Sequence, residues 1–250
     1  MNGPYYIVSD NHFMMMHNSS EEERRNRLFQ VFDKIKSKGQ GTLIIGGDFF
    51  DFWFETNNAV PKGYENIIEA LENLSKAGID IHYVAGNHDY WDFGYLTKNT
   101  NLNFHRDDLI FDYNDKKILV THGDGLLKND YGYRFMKKII RHKIFIEFFK
   151  IFPESLSFKF ANKMSKSSSE YNHNDKYIDT IKKDLLTFSK IKWNEGYDII
   201  LVGHYHQQEI IKHKNKKLIF LGDWLQKFTV TKIDQNDIWQ GNWEDFIKLA

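Results

Sequence analysis

The chain has 250 residues and a mass of 29.8 kDa, which suits one large domain or a core domain that carries an insertion. An apolar fraction of 41%, with 16% aromatic and 27% charged residues, supports a substantial core and excludes global disorder. Because cysteine is absent and the formal net charge is zero, the composition excludes disulfide scaffolds, thiolate zinc sites and cysteine nucleophiles, and it gives no overall electrostatic case for nucleic acid binding.

Short runs of β-branched or aromatic residues recur along the chain, and each run predicts a buried strand. These runs are 5–9, 42–45, 79–85, 117–121, 198–202, 217–221 and 227–233. Segments with helical periodicity lie between several of them. Such alternation of strands and helices is typical of a layered α/β fold.

Two helices are predicted from their end signals. Ser20 and Glu23 have the spacing of a capping box, and the helix that they begin should end near Gly39. The segment 63–77 has apolar residues on one face, and Gly78 follows it as a stop signal. Both helices connect predicted strands, as the α/β order requires.

The segment 126–169 interrupts the alternation, and we expect a basic, aromatic helical insertion there within one domain spanning 1–250. Residues 126–166 contain ten Lys or Arg and three Asp or Glu, a net charge of +7. Between 133 and 152, apolar residues recur at intervals of three and four, which predicts an amphipathic helix. Two interpretations stay open: a helix packed on its own core, or a lid that accepts acyl chains and lies against an anionic bilayer surface.

Membrane insertion and secretion have no sequence signal here. The apolar tracts are short, far below the roughly 20 residues that a bilayer requires. The segment 1–10 lacks a basic region followed by an apolar one, so no secretory signal is expected.

Five polar clusters directly follow predicted strands. Since the carboxyl ends of parallel strands meet at one edge of a sheet, these clusters should meet in space. Their donors are oxygen and nitrogen atoms, which suit Mn²⁺, Fe²⁺, Zn²⁺ or Mg²⁺. The clusters are Asp10-Asn11-His12, Gly46-Gly47-Asp48-Phe49-Phe50-Asp51, Gly86-Asn87-His88-Asp89, His122-Gly123-Asp124 and Gly203-His204-Tyr205-His206.

Each cluster alone has an ordinary structural explanation. Asp48 and Asp51 could cap a helix, and the segment 87–89 could form a turn. All five clusters nevertheless follow strands directly, which favours one shared metal site over separate coincidences.

These clusters resemble the motifs of the calcineurin-like metallophosphoesterases, D-x-H, G-D-x-x-D, G-N-H-D/E, H-G-D and G-H-x-H. Every motif is present between Asp10 and His206. The resemblance implies an α/β fold in which a β-sandwich is flanked by helices in α/β/β/α layers, with a helical lid insertion. It also implies two divalent metal ions, with Mn²⁺ as the expected ion.

The resemblance assigns roles residue by residue. His88 would lie near the scissile phosphate, with Asp51 as its partner in a dyad. Asp48 would bridge the two metals, since a carboxylate between two cations offsets their repulsion. One metal would be bound by Asp10, His12, Asp48 and His206, and the other by Asp48, Asn87, His122 and His204.

Further motifs resemble one subfamily, the UDP-2,3-diacylglucosamine diphosphatases of lipid A biosynthesis, which carry a helical lid directly after H-G-D. The segment 122–126 followed by Asp130 and Tyr133 resembles H-G-D-x-L-x-x-x-D-x-x-Y. The segment 46–54 resembles the aromatic G-D-x-F-D-x-W-F, and 221–224 resembles L-G-D-W. The stretch 163–169, with Ser167, is similar to the Ser/Lys stretch that closes the lid. One departure is His88, where the better-studied branch has Arg.

This resemblance implies hydrolysis of UDP-2,3-diacylglucosamine to UMP and 2,3-diacylglucosamine 1-phosphate. Asp130, Tyr133 and Ser167 would contact the substrate. The enzyme would be a cytoplasmic monomer, peripheral on the inner face of the inner membrane of a Gram-negative-type bacterium. It would contact an anionic membrane surface and no nucleic acid.

Two alternatives remain from the sequence. One is a general metallophosphatase or phosphodiesterase that acts on nucleotides or phosphoproteins. The other is a metal-depleted scaffold for partner binding, and the presence of every motif ligand argues against it.

Overall fold

Two mixed β-sheets form the centre of the structure, a computed structural model that describes residues 1–56, 60–151, 175–235 and 237–249. The strands in chain order are β1 (Tyr5–Val8), β2 (Thr42–Ile45), β3 (Asp80–Val84), β4 (Asn103–His105), β5 (Leu109–Tyr113), β6 (Lys116–Thr121), β7 (Ile199–Val202), β8 (Gln208–His213), β9 (Lys216–Leu221), β10 (Thr229–Asp234) and β11 (Asp237–Asn242).

Each sheet has a parallel centre. The first sheet has the order β11-β10-β1-β2-β3-β4, in which β1 to β4 run parallel. The second has the order β5-β6-β7-β9-β8, in which β6, β7 and β9 run parallel. The remaining neighbours pair antiparallel. The parallel strands of each sheet therefore end at one edge, and the polar clusters follow them there.

The helices are α1 (Ser19–Ser37), α2 (Glu65–Lys76), α3 (Tyr95–Thr100), α4 (Tyr131–Ile140), α5 (Lys143–Lys150), α6 (Asp175–Asn194) and α7 (Trp243–Lys248). Of these, α1 and α2 cover the outer face of the first sheet. Alternate residues of β1 show the layering: Tyr6 and Val8 pack in the core shared with α1 and α2, whereas Tyr5 and Ile7 pack between the sheets.

The second sheet is covered in the same way by α6. Its residues Ile181 and Leu185 share a core with Leu119, Ile200 and Phe220 of the sheet's outer face. Because both faces of each sheet are buried, the central strands are continuously apolar in sequence. The α/β/β/α order predicted above is confirmed.

All seven predicted strands are present, with ends that differ by at most two residues from the predicted ones. The four strands that the sequence did not indicate are β4, β5, β8 and β11. They are the edges of the two sheets. Edge strands bury fewer side chains, as the partly exposed β11 shows, so they lack the apolar run that marks a central strand.

The predicted capping box is wrong. The N-cap of α1 is Asn18, whose side chain accepts a hydrogen bond from the Glu21 N–H at 2.9 Å. Ser20 therefore lies inside the helix, because the asparagine two residues earlier already satisfies a free amide of the first turn. The second helix, α2, ends as predicted before Gly78, which has a φ of +92°.

The predicted helix over 133–152 is two helices. The helix is interrupted at Arg141 and His142, between α4 and α5. The His142 side chain caps α5 by accepting a hydrogen bond from the Ile144 N–H at 3.3 Å. The rest of the predicted insertion, 152–169, lies outside the described residues. Within the described ranges, no helix is both long and apolar enough to cross a membrane.

Candidate metal centre

The five polar loops meet where the two sheets end side by side. Hydrogen bonds join the second loop to each of its neighbours. The His12 N–H donates to the Asp48 carbonyl at 2.9 Å, and the His88 N–H donates to Asp48 Oδ1 at 2.9 Å. His122 Nδ1 lies 3.0 Å from the Gly46 carbonyl. The fifth loop joins the first, because the His204 N–H donates to an Asp10 carboxylate oxygen at 2.9 Å.

The predicted ligands, together with His88, form overlapping groups, and within each group the possible ligand atoms lie within 4.8 Å of one another. These groups are Asp10, His12 and His206; His12, Asp48 and His88; and Asp48, His122 and His204. Asn87 joins the last group, since its Oδ1 lies 3.2 Å from His122 Nε2. The structure thus brings all seven predicted ligands into one cluster, with Asp48 in two of the three groups.

Five of these residues have left-handed backbone conformations. Non-glycine residues rarely adopt a positive φ, and each instance costs on the order of 1 kcal/mol unless its surroundings fix it. The φ angles are 52° for Asp10, 44° for His12, 48° for Asp48, 65° for His204 and 53° for His206. Strain of this kind concentrated in one cluster is typical of a functional site.

Two glycines allow the loops to approach this closely. A Cβ at Gly86 would overlap Asp48 Oδ1, and a Cβ at Gly47 would overlap the His122 ring. Gly47 also has a φ of +96°, a backbone conformation that residues with a Cβ rarely adopt. The glycines of the second and third motifs therefore make room for the carboxylate and imidazole beside them.

The donor atoms fit a divalent cation. His12 Nε2 is buried, has no hydrogen-bond partner among the described residues, and lies 3.8 Å from Asp48 Oδ2. A buried polar atom without a partner is costly, and a cation would satisfy this nitrogen. Since a carbonyl only accepts, His122 Nδ1 must donate to Gly46, so Nε2 is the ring atom that faces Asp48 Oδ2, at 3.2 Å, and that a cation could bind once its proton is displaced.

The buried carboxylates and protonated histidines of this cluster shift one another's pKa values. Burial would lower the pKa of His122, but the Asp48 carboxylate outweighs it and raises that pKa to about 10. Burial would raise the pKa of Asp48, but charged His122 holds it well below its ordinary value. Burial, with a contribution from Asp48, raises the pKa of Asp10 to about 7. A cation would therefore compete with protons for these groups.

Two other histidines are neutral at physiological pH. Burial, followed by repulsion from His122, lowers the pKa of His204 to about 4. Burial, followed by repulsion from His12, lowers the pKa of His206 to about 3. Neutral imidazole is the form that binds metals, so both rings are ready to act as ligands.

Comparison with known proteins agrees with this geometry. Residues 3–208, most of the chain, match the family model described as calcineurin-like phosphoesterase. The chain belongs to this family. Its fold class and its metal-dependent hydrolase chemistry follow from that membership and from the Asp and His groups above.

Relatives of known name share most of its length. A UDP-2,3-diacylglucosamine hydrolase of Porphyromonas gingivalis is 24% identical over 242 residues, which cover 90% of this chain and 92% of the relative. Proteins of the same name are 28% identical in Pseudomonas syringae pv. tomato, covering 82% and 83%, and 26% identical in Haemophilus influenzae, covering 92% and 95%.

The pairing of His88 with Asp51 differs from the predicted dyad. His88 Nδ1 lies 2.6 Å from the backbone carbonyl of Asp51, so the contact comes through the main chain. The Asp51 carboxylate faces His12 instead, with 3.8 Å between Oδ1 and Nδ1. Because the carbonyl fixes the Nδ1 proton, the His88 Nε2 points into the cluster, 4.0 Å from Asp48 Oδ2.

Of the three residues predicted to contact the substrate, the structure describes Asp130 and Tyr133. The Tyr133 ring lies 6.3 Å from the His204 ring, beside the cluster, and its hydroxyl donates to Asp124 Oδ2 at 2.8 Å. Asp130 is the residue before α4, and its backbone carbonyl accepts from the Arg134 N–H. Ser167 lies outside the described residues.

Asp89 is a residue whose role the sequence did not reveal. Its fully buried carboxylate accepts from the N–H groups of Phe49 and Gly86, both at 2.7 Å, and from the Tyr83 hydroxyl. It thereby ties the second loop to the third. Its place in the G-N-H-D motif was the available signal.

Arg24 holds the loop that carries His12. Its guanidinium donates to the carbonyls of Asn11 and His12 and, at 3.3 Å, to the Trp224 carbonyl. Glu21, fully buried, pairs with it at 2.7 Å. In sequence this pair looks like an ordinary helix-surface ion pair at i,i+3, so nothing marked it as buried.

Proposed function

We propose that this chain hydrolyses the diphosphate bond of UDP-2,3-diacylglucosamine, giving UMP and 2,3-diacylglucosamine 1-phosphate in lipid A biosynthesis. The observation that carries the proposal is the cluster of seven ligands around Asp48 in a chain whose relatives of this name match it over most of their length. The reaction class rests on the cluster, and the substrate rests on the relatives together with the lid described below.

The proposed ligand sets are those of the family motifs, with Mn²⁺ as the ion. When bound, two divalent cations neutralise phosphate charge and supply Lewis-acid polarisation for phosphoryl transfer. One would be held by Asp10, His12, Asp48 and His206, and the other by Asp48, Asn87, His122 and His204.

The orientation of Asp48 supports its role as the bridge. Its Oδ1 accepts a hydrogen bond from the His88 N–H at 2.9 Å, which fixes the carboxylate. Its Oδ2 lies 3.2 Å from His122 Nε2 and 3.8 Å from His12 Nε2. One oxygen atom therefore faces a ligand from each proposed set.

His88 is the proposed contact to the phosphate. Its Nδ1 is held by the Asp51 carbonyl at 2.6 Å, so the ring cannot turn away and Nε2 faces the ligand cluster. From this position, Nε2 can stabilise charge that develops on a phosphoryl oxygen or give a proton to the leaving oxygen. We assign Asp51 the positioning role, through its backbone, and Asp130 and Tyr133 contacts to the substrate.

The lid, defined as α4 and α5, supports a lipid substrate. The inner face of α5 packs through Phe149 on an aromatic platform formed by Phe52, Phe54 and Trp91. The outer residues are exposed, with fractional exposures of 68% for Phe135 and 74% for Ile144. Packing on the core thus explains one face of the lid, and the other remains apolar and open to water.

Exposed apolar side chains beside lysines suit both acyl chains and an anionic membrane surface. Lys138 and Lys143 are exposed on the same two helices. Each buried methylene of an acyl chain contributes about 0.8 kcal/mol. We propose that the lid binds the acyl chains and rests on the inner face of the inner membrane, and that the enzyme acts as a monomer without nucleic acid. Vesicle binding should then weaken as ionic strength rises, and salt-independent binding would contradict it.

A substrate panel tests the function directly. The chain is incubated with Mn²⁺ and UDP-2,3-diacylglucosamine, a diadenosine polyphosphate or a phosphopeptide, and the product masses are measured. UMP and the lipid monosaccharide 1-phosphate are the expected products. Faster turnover of either of the other two compounds would instead support a general phosphatase or phosphodiesterase.

A matched pair of variants tests the lid. Phe135→Ser with Ile144→Ser should raise KM for the diacylated substrate by at least about tenfold while leaving hydrolysis of UDP-glucosamine, which has no acyl chains, unchanged. Ile191→Ser is the control, because Ile191 is 55% exposed on α6. Equal losses on both substrates would argue against recognition of acyl chains by the lid.

A further inference from the structure

Three side chains, two from α4 and one from the residue that follows it, converge on one carboxylate beside the metal loops. The Tyr133 hydroxyl donates to Asp124 Oδ2 at 2.8 Å, and Lys137 Nζ lies 2.7 Å from the same oxygen. Arg141, at the C-terminal end of α4, places Nη2 3.4 Å from it. These residues are four apart, so they occupy one face of the helix.

Asp124 stands at the edge of the proposed metal centre. It comes two residues after His122, and its side chain is only 5% exposed. Its backbone carbonyl accepts a further hydrogen bond from Lys137 Nζ at 3.1 Å. Arg141 also donates to the Gly86 carbonyl at 3.1 Å, so α4 is tied to the fourth and third ligand loops together.

Apolar packing contributes little to the position of α4. None of its ten residues is buried, and Phe135, Met136 and Ile139 are exposed. Other ties lie near its ends, where Arg134 donates to the Leu127 carbonyl and the Trp91 indole donates to the Ile140 carbonyl. Charge-assisted hydrogen bonds to a buried carboxylate are stronger than exposed ion pairs. The bonds to Asp124 are therefore the main contact between this helix and the ligand loops.

We infer that Asp124 is a positioning residue that docks the lid helix on the metal centre and holds Lys137 and Arg141 beside it. Two cations against one carboxylate leave a positive charge at the rim. If the proposed function is correct, this surplus faces the diphosphate of the substrate, and the lid is positioned over the phosphate and the acyl chains together.

Hydrogen–deuterium exchange of the full chain with Mn²⁺ tests the docking without any substrate. Asp124→Asn should speed exchange in the segment 131–150 by at least about tenfold, while α1 keeps its protection. Glu147→Gln is the matched control, because Glu147 pairs with Lys150 at 3.0 Å within α5 and is mostly exposed. Unchanged exchange in Asp124→Asn, or an equal increase in the control, would overturn the inference.

A second variant keeps the test valid if Asp124→Asn folds poorly. Lys137→Gln with Arg141→Gln removes the partners and leaves Asp124 in place, so it should reproduce the faster exchange. Combining all three changes should add little further, since both variants break the same contacts. Additive effects would show that the groups act separately and would refute the docking of α4 through Asp124.

Kinetics separate positioning from general structure. The Asp124→Asn enzyme should show at least about a tenfold rise in KM for UDP-2,3-diacylglucosamine, with unchanged Mn²⁺ affinity. A loss of Mn²⁺ affinity with no change in KM would place Asp124 in the metal centre rather than in lid docking. If the wild-type chain does not turn over this substrate, the proposed function fails, and the exchange experiment still decides whether Asp124 docks the lid.

Discussion

Glu55 and Asp92, which follow Phe54 and Trp91 in sequence, form a buried carboxyl pair, and replacing Glu55 by Gln should change how stability depends on pH. Burial and the neighbouring Asp92 raise the pKa of Glu55 to about 8. Glu55 also accepts from the Tyr95 N–H at 3.0 Å, which a glutamine oxygen can preserve. Glu55→Gln therefore imitates the protonated pair, with an amide in place of the shared proton.

The direction and size of this pH effect on stability follow from the pKa of Glu55 in the folded protein and in the unfolded chain. Because the folded pKa of about 8 exceeds the ordinary 4.5, the folded protein keeps a proton that the unfolded chain has lost between these values. Stability should therefore fall as pH rises through this window. At about 1.4 kcal/mol for each tenfold change in proton affinity, the ceiling is about 5 kcal/mol. Relaxation and water entry around a shared proton should reduce this to about 2 kcal/mol.

Urea unfolding followed by circular dichroism at pH 5, 7 and 9 measures the effect. Between pH 5 and 9, the free energy of unfolding of the wild-type chain should fall by about 2 kcal/mol more than that of Glu55→Gln. Glu72→Gln is the control, because Glu72 forms an exposed pair with Lys76 at 2.7 Å. Parallel stability curves for wild type and Glu55→Gln would refute a shared buried proton.

Three further predictions concern the metal centre. Asp48→Asn should lower Mn²⁺-dependent turnover by at least about 100-fold, and turnover near wild type would refute the bridge. Gly86→Ala should weaken Mn²⁺ affinity by at least about tenfold, because its Cβ would overlap Asp48 Oδ1. The control Gly132→Ala should not, because, beyond its chain neighbours and the backbone of its own helix, no atom of the described residues lies within 4 Å of its Cβ. Because the pKa of His122 is raised to about 10, Mn²⁺ binding at pH 8 should release protons and strengthen as pH rises; calorimetric heats that do not depend on the buffer would contradict this.

The ligand cluster could be predicted from sequence because its signals are local. Each motif begins where an apolar strand ends, and parallel strands must end at a common edge. That two stacked sheets contribute to the cluster did not follow from the strand pattern, since it depends on how β6 and β7 stack against β1 to β3, and only the family resemblance implied it. Edge strands such as β8, which bury little, were missed for the physical reason that they carry no continuous apolar run.

The contacts that orient the site were hidden for another reason. Arg24 acts on backbone carbonyls 12 and 13 residues away in sequence, and Asp124 acts on a helix surface. In the sequence, no spacing distinguishes the partners of Arg24 and Asp124 from those of ordinary charged surface residues. The same holds for Asp51, whose backbone carbonyl contacts His88 while its carboxylate turns to His12. The residue types predicted which residues lie at the site, but only the fold shows which atom of each residue makes the contact.

The left-handed backbone and the buried charge of the centre depend on each other. A positive φ at Asp10 and at His12 turns both side chains inward, and it persists because the carbonyl groups of this loop are held by the Trp224 N–H and by Arg24. Relaxing the loop would release the strain but would leave the Asp10 carboxylate, which is fully buried, without its bond from the His204 N–H. The network that surrounds the ligands thus keeps a costly arrangement in place, and paired cations are what would make that arrangement electrostatically favourable.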